Sequence, residues 1–429
     1  MLSRRQALGL LPACAFAAAP PPNIVLFVSE GHAAADLTAE ATPQLHRLAA
    51  AALRFNLAFT PEALGSPSKS SLLTGHYPLQ HGAYEEFSFV RRDVGKTWPH
   101  WFQALGYRVT LAGQPGFGPR YAFPFDYQPL TSLSRYLELR HGKPFCLVAS
   151  LPPLEEFSGE TLDAAKPPPY AVDTPQTRRW MARYYHSLRG VDASIGEILN
   201  RIPPNTITVY LSAHGPALPF AQWSLYDAGI RIPLLVHWPG MVRAGLSEAM
   251  VSLVDVLPTL LEACGGAAPE GIAGRSFLPV LHGRAASHRD AIFALHHNRG
   301  SVSGSDSPSR AIRTARFKYI LNLKHWNQVG NIWWRGNDGT DSRHPLRTPP
   351  PELWREWLLR SAEDGHAQNR TGLWRKRPPE ELYDLQADPH ELTNLAVDEL
   401  PEKPKLRAKL IAWMTEQQDK WLSFARITN

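Results

Sequence analysis

The chain has 429 residues, 44% hydrophobic and 20% charged, which is ordinary globular material long enough for one large domain plus a smaller one. A formal charge of +6 and a pI near 9.2 favour anionic partners only weakly, because a modest excess over this length reads as a solvated surface. After the N-terminus no run approaches the ~18 apolar residues of a spanning helix, no cysteine cluster has zinc-ligand spacing, and no motif supports nucleic-acid binding.

Residues 1–19 read as a twin-arginine-like signal peptide. Ser3-Arg4-Arg5-Gln6-Ala7-Leu8 precedes an apolar run from Ala7 to Ala13 and small residues Ala17 to Ala19 suited to cleavage. Leu11-Pro12-Ala13-Cys14 is a poor lipid-attachment box, with Pro in the wrong place. The expectation is an exported bacterial protein, periplasmic or extracellular. Cys146 and Cys264 read as small buried hydrophobes; a disulfide between them is permitted in that compartment and not demanded.

Asn23 to Val28 is a continuous apolar run, the mark of a strand buried on both faces. Thr42-Pro43 then caps a helix with Leu45, Leu48, Ala49 and Ala52 on one face. In Gly65-Ser66-Pro67-Ser68-Lys69-Ser70-Ser71-Leu72-Leu73-Thr74-Gly75, Ser66 stands where a cap would, Pro67 at a first helical position, and Gly75 at a stop. The amides at such a helix start attract anions. Trp101 to Leu105 is expected helical, and Tyr107 to Ala112 and Pro144 to Ser150 are expected strands. Thr174-Pro175 caps a long helix carrying Met181, Tyr184, Leu188, Val191, Ile195 and Ile198, followed by strands at Thr206 to Leu211 and Ile232 to Trp238. This alternation predicts an α/β fold with a large, mainly parallel sheet flanked by helices over residues 20–300. Residues 301–429 are expected to form a smaller C-terminal α+β subdomain: strand material over Ala311 to Leu323, an irregular Trp- and Arg-rich stretch from His325 to Pro379, and a final helix from about Lys403 to Ser423.

The Gly65–Gly75 stretch resembles the sulfatase signature, in which a Cys or Ser is followed by any residue, Pro, Ser, Arg, three residues and Leu-Thr-Gly. Pro67, Ser68, Leu73, Thr74 and Gly75 fall in place; Gly65 stands at the nucleophile and Lys69 at the Arg. The resemblance spans nearly the whole mature chain, through Thr42-Pro43-Gln44-Leu45, Tyr226-Asp227-Ala228-Gly229-Ile230-Arg231, Val254-Asp255-Val256-Leu257-Pro258-Thr259 and Gly274-Arg275-Ser276-Phe277. Glu381-Leu382-Tyr383-Asp384-Leu385 with Asp388-Pro389-His390-Glu391 is its most specific C-terminal landmark. Pro124 to Tyr127 and Arg377 to Ala396 look nearest to the heparan N-sulfatase (sulfamidase) branch of this alkaline phosphatase superfamily family.

The resemblance implies hydrolysis of a sulfate ester or sulfamate by a formylglycine, a divalent cation (usually calcium) holding a sulfate oxygen, basic residues binding sulfate, and histidines moving protons. Position by position these parts are replaced. The paired metal-binding Asp fall on Glu30 and Gly31, and the nucleophile on Gly65. A Lys and a His are lost in Gly113-Gln114-Pro115-Gly116, and a Pro-His becomes Pro153-Leu154. The later metal pair becomes Ala213-His214, and a sulfate-binding Lys becomes Gln222.

Glu30 and His214 are the remaining candidate metal ligands, too few for calcium's six to eight oxygens, and are expected to bond each other or water. No cofactor is expected. Ser66 is a candidate substitute nucleophile, against a helix-cap reading, and Lys69 a candidate substrate-binding cation, against a solvated one. His32, His76 and His81 read as pocket-rim or structural, and the tryptophans from Trp326 to Trp374 as sugar-stacking or core residues. The scaffold keeps its caps and strands while nearly every reactive group changes, and random decay would blur both. The leading expectation is therefore a pseudo-sulfatase that binds an anionic or sulfated glycan at the Ser66–Thr74 helix start. The alternatives are a sulfuric ester or sulfamate hydrolase with a rearranged site, and a structural partner of an active sulfatase.

Overall fold

The computed structural model describes residues 20–139, 142–152, 154, 166–298, 306–329 and 351–427. The leader with Cys14, Pro153, and Trp333 and Trp334 lie outside them.

Among the described residues the strands, numbered in chain order, are β1 Asn23–Ser29, β2 Leu53–Phe55, β3 Ala58–Phe59, β4 Arg108–Gly113, β5 Asp126–Gln128, β6 Phe145–Ser150, β7 Thr206–Ser212, β8 Leu234–His237, β9 Gly245–Ser247, β10 Val251–Ser252, β11 Ile292–His296, β12 Ser309–Arg313, β13 Phe317–Asn322 and β14 Glu380–Asp384. The main sheet has the order β5-β4-β6-β1-β7-β8-β2-β9. Its five strands from β5 to β7 run parallel, and β8 is antiparallel to both β7 and β2. Along β1 the side chains alternate between two cores: Val25 and Phe27 join one, Ile24, Leu26 and Val28 the other. A strand with helices on both sides has no solvent face, which is why its sequence is a continuous apolar run.

Register sets the place of the site. Val28 pairs with Ser150 and with Leu211, so β1, β6 and β7 end together and deliver Glu30, Ser150 and Ala213-His214 to one edge. That carboxyl edge is where parallel sheets form their crevices.

The second sheet is antiparallel, β11-β12-β13-β14. It takes its first strand from Ile292–His296, ahead of residue 300. One face, with Ala311, Ile320 and Tyr383, joins the main core; the other, with Ile312, Tyr319 and Leu382, packs on Leu410, Trp413 and Met414 of the helix Glu402–Glu416.

Several expectations need correction. The stretch from Ala311 to Leu323 is two strands joined by a turn in which Thr314 N–H and Phe317 C=O bond at 2.8 Å, with no Gly or Pro to announce it. The described part of His325–Pro379 holds two helices, Pro351–Arg360 and Gly365–Arg375; the second is capped by Asp364, whose Oδ1 accepts from Ala367 N–H at 2.9 Å. Trp357 and Trp374 of this region are core residues, whereas Trp326 is half exposed. The final helix stops at Glu416 and a short helix Leu422–Ile427 follows, because Asp419 is diverted into a fully buried pair with Arg310 at 2.5 Å. Cys146 and Cys264 are both free thiols, and Cys146 accepts from Trp98 Nε1 at 3.1 Å.

Thr174 caps its helix as expected, accepting from Thr177 N–H at 3.2 Å, but Thr42 does not cap Pro43–Ala51. The carboxylate of Asp192, from the long helix Pro175–Leu199, accepts from Gln44 N–H at 2.9 Å and Leu45 N–H at 2.8 Å. Removing an acceptor that serves two buried donors costs about 1–3 kcal/mol. Asp192→Ala is therefore expected to lower the unfolding free energy more than Thr42→Ala in denaturant titration. The reverse order would return the cap to Thr42.

Buried neutral histidines tie the fold to pH. His81 accepts from Ala83 N–H at Nδ1 (3.1 Å), faces Ser71 Oγ through Nε2 (2.9 Å), and is pushed down to about 3 by burial. His32, bonded to Tyr210 OH at 2.6 Å, is pushed down by burial to about 4. Both values are depressed below the ordinary 6.5, so the stability they contribute is full above pH 6.5 and is lost as pH falls toward these lower values. Tm should fall progressively as pH drops from 6.5 toward 4, and His81→Gln should flatten that slope. A Tm indifferent to pH in this window would contradict the assignment.

Candidate functional site

The helix Gly65–Thr74 is buried along its entire length and ends as expected at Gly75, whose φ of 72° suits a residue without Cβ. Its start lies earlier than expected. Leu64 is the extended residue before the first turn, with its carbonyl accepting from Ser68 N–H at 3.1 Å. Ser68 Oγ donates to Ala213 C=O at 2.6 Å and pairs with Thr60 Oγ1 at 2.7 Å, which fixes the helix to the end of β7. Ser66 is neither cap nor poised nucleophile: its Oγ donates to Gly116 C=O at 2.5 Å and accepts from Phe87 N–H at 2.8 Å.

The amides at the helix start are already taken, contrary to the expectation of an external anion. Glu86 reaches over from the segment after Gly82, and its Oε1 accepts from Gly65 N–H at 2.6 Å while Oε2 lies 3.4 Å from Ser66 N. A carboxylate here gains from the helix dipole and from orphan N–H groups, as a bound sulfate would. Sequence reasoning missed Glu86, since Glu85-Glu86 looks like any solvated acidic pair.

Lys69 is not solvated. Its Nζ lies 2.5 Å from Glu30 Oε1 and donates to Pro115 C=O and Ser150 Oγ, each at 3.2 Å, with both charged side chains under 10% exposed. Three oxygens thus meet the three hydrogens of the ammonium. Ser150 Oγ in turn donates to Gln114 C=O at 2.5 Å, so the loop after β4 is folded around the lysine. Glycine makes this closure possible: a Cβ on Gly116 would sit 3.1 Å from Lys69 Nζ, and one on Gly113 would sit 2.1 Å from Ser150 C=O.

Glu30 and His214 come near each other without hydrogen bonding, at 3.9 Å between Oε2 and Nε2. His214 Nδ1 donates to Gly215 C=O at 2.7 Å, and its buried Nε2 makes no hydrogen bond among the described residues. Leu154 fills the space beside Gly31, its Cδ1 3.5 Å from the position of a Cβ there. A Cβ at Gly65 would meet Glu30 Oε2 at 3.1 Å and Glu86 Oε1 at 3.2 Å. The nucleophile position is thus wedged between two carboxylates.

These residues do not fit the calcium that the resemblance implies. Gly31 and Ala213 offer no side-chain donor, and the one carboxylate left at the paired-Asp position is occupied by an ammonium. No group of three His, Cys, Asp or Glu among the described residues is arranged to hold a metal ion. Glu30 and Glu86 together outnumber Lys69 by one charge, which disfavours a divalent anion at this spot. His32 and His81 are structural, as described above, and His76 is half-buried beside Arg91 in a separate polar crevice. Gln222 is buried.

Comparison with known proteins fits this frame. The family model "Sulfatase" matches residues 22–132 and 119–266, and the model "N-sulphoglucosamine sulphohydrolase, C-terminal" matches 219–340. An ulvan-active sulfatase of Formosa agariphila is 29% identical over 93% of this chain and 81% of its own length. The human N-sulphoglucosamine sulphohydrolase is 27% identical over 94% of this chain and 92% of its own. A 2-O glycosaminoglycan sulfatase shares the fold at TM-score 0.68 and 20% identity, over 94% of each chain. Another structure, solved with its substrate D-glucosamine-2-N,6-O-disulfate, has TM-score 0.65 and 18% identity, over 93% of this chain and 99% of its own. Since the sulfatase model spans residues 22–266, more than half of the chain, the chain belongs to the sulfatase family.

Proposed function

We propose that this chain is a sulfatase-family protein that does not perform formylglycine chemistry and serves to bind an anionic or sulfated saccharide. The single observation that carries the first half is Lys69 Nζ at 2.5 Å from Glu30 Oε1, inside the pocket where the family places its cation. A metal would have to displace a buried ammonium from its carboxylate and then find further ligands where Gly31 and Ala213 stand. The saccharide half rests on the chemistry named for the relatives, which act on ulvan and on sulphoglucosamine, and on the intact architecture around the altered centre. Export belongs to the same reading, on the Arg4-Arg5 segment alone. The rearranged hydrolase gains nothing from Ser66, whose hydroxyl is spent on Gly116 and Phe87.

Purified protein is expected to show no turnover of aryl sulfate with or without millimolar calcium, and no calcium-dependent rise in Tm. Gly65→Cys is expected to restore nothing, because the groups of such a centre act as a unit and the new side chain enters between Glu30 and Glu86. Aryl sulfate hydrolysis by the wild-type protein would overturn the proposal.

The ion pair makes a separate, structural prediction. Glu30→Gln leaves a buried ammonium without its counter-charge and should cost about 3–5 kcal/mol in unfolding free energy. Replacing both partners, Glu30→Leu with Lys69→Met, should cost much less than either single change, since an apolar pair of similar volume removes both desolvation penalties. A double-mutant cycle with no coupling would show that the two charges do not stabilise each other.

A further inference from the structure

A cavity of about 240 Å³ opens at the same edge of the main sheet, lined by none of Glu30, Gly65, Lys69 or His214. It lies between the segment after β1 (Ala33 to Asp36), the loop after β7 (Pro216, Phe220, Tyr226) and the C-terminal landmark (Pro389 to Glu391). Ligand pockets favour such junctions, next to the carboxyl ends of parallel strands.

Behind its accessible lining stands a rigid, buried aromatic layer. Phe220 sits at φ 68°, an unusual conformation for a bulky side chain, with the Arg370 guanidinium 3.6 Å above its ring centre and Trp374 at 5.1 Å. Tyr226 is fixed by its hydroxyl, which donates to Glu381 Oε2 at 2.6 Å. Tyr170 closes the third side and is itself buried.

The charge around the cavity has a sign. Asp227 and Glu391 share Lys318 at 2.5 and 2.8 Å, and Arg313 lies 3.2 Å from Asp227, so two acids are matched by two bases. Of the other charged linings, Lys166 and Arg231 outnumber Asp36, whose carboxylate already accepts from Tyr184 OH at 2.7 Å and Tyr185 OH at 3.1 Å. Arg370 adds a buried positive charge behind Phe220, with Nη1 and Nη2 making no hydrogen bond among the described residues.

Resting on the saccharide reading above, we infer that this cavity, rather than the collapsed sulfatase centre, binds one anionic pyranose unit. The C–H faces of the ring pack on the accessible apolar lining, Tyr185 with Pro168 and Pro389, and the acid group, carboxylate or sulfate, faces Arg231 and Lys166. The volume admits one sugar ring and not an oligosaccharide, so any longer glycan enters by its end.

The test is calorimetry on the full chain with glucuronic acid, N-acetylglucosamine 6-sulfate and glucose as ligands. Wild-type protein should bind one or both anionic sugars at least ~10-fold more tightly than glucose, as expected for a charge-assisted contact. Ala34→Trp, which fills the cavity from a half-buried turn, should abolish that binding, and Lys166→Glu, on the exposed rim, should weaken it and reduce its salt dependence. Glu86→Gln, at the collapsed centre, should leave it unchanged. Anionic-sugar binding that survives Ala34→Trp and Lys166→Glu would overturn this site while leaving the saccharide reading standing. Equal affinity for glucose would overturn the anionic assignment. No binding of the monosaccharides together with binding of a sulfated polysaccharide would also overturn the site alone; failure of all of them would remove the saccharide reading too.

Discussion

The contact on which the altered centre depends is the buried pair of Glu30 and Lys69. Two charges so little exposed are held only because each is fully engaged: the carboxylate by the ammonium, the ammonium by Glu30, Pro115 and Ser150. Taking two ions from water costs several kcal/mol apiece, and only close geometry with every remaining hydrogen bonded offsets it. The backbone of residues 113–116 is shaped by this need. It turns through positive φ at Gly113 (100°) and Gly116 (64°) to bring carbonyls to the lysine and to Ser66.

Around that pair the signature helix is immobilised by its own serines. Ser66 holds the loops at Gly116 and Phe87, Ser68 holds the end of β7, and Ser71 holds His81. In a catalytic version of this frame a helix so fixed would present a nucleophile and free amides with little reorganisation, which is where preorganised sites gain their rate. Here the same rigidity holds Glu86 against the amides. The scaffold's precision and the absence of the usual reactive groups are therefore compatible properties of one packing arrangement.

Much of the architecture was legible in the sequence because it depends on local chemistry. Apolar runs marked β1, β6 and β7, Thr174-Pro175 marked the long helix, and Gly75 marked the end of the signature helix. What escaped were features decided by distant partners. Asp192 caps a helix some 150 residues earlier in the chain, a relation that no local spacing encodes (Gln44 and Asp192 are 148 positions apart). Asp419 breaks the final helix because Arg310 needs a counter-charge in the core. The site divides the same way. That Gly65, Gly31 and Ala213 lack reactive groups is plain from the residues; that Lys69 and Glu86 fill the space with charges of their own required three dimensions.

The replacements at this centre fit together as a set. A Cβ on Gly65 would press on Glu30 and Glu86, and a Cβ on Gly116 would press on Lys69. The two glycines thus leave room for Glu30 to meet Lys69 and for Glu86 to meet the Gly65 amide. What stands there is a packed cluster in which Lys69 sets a positive charge on Glu30 and Glu86 sets a negative charge on the helix amides, with His214 Nε2 making no hydrogen bond among the described residues. A cluster packed in this way ties the ends of β1, β6 and β7 to the signature helix as core residues do.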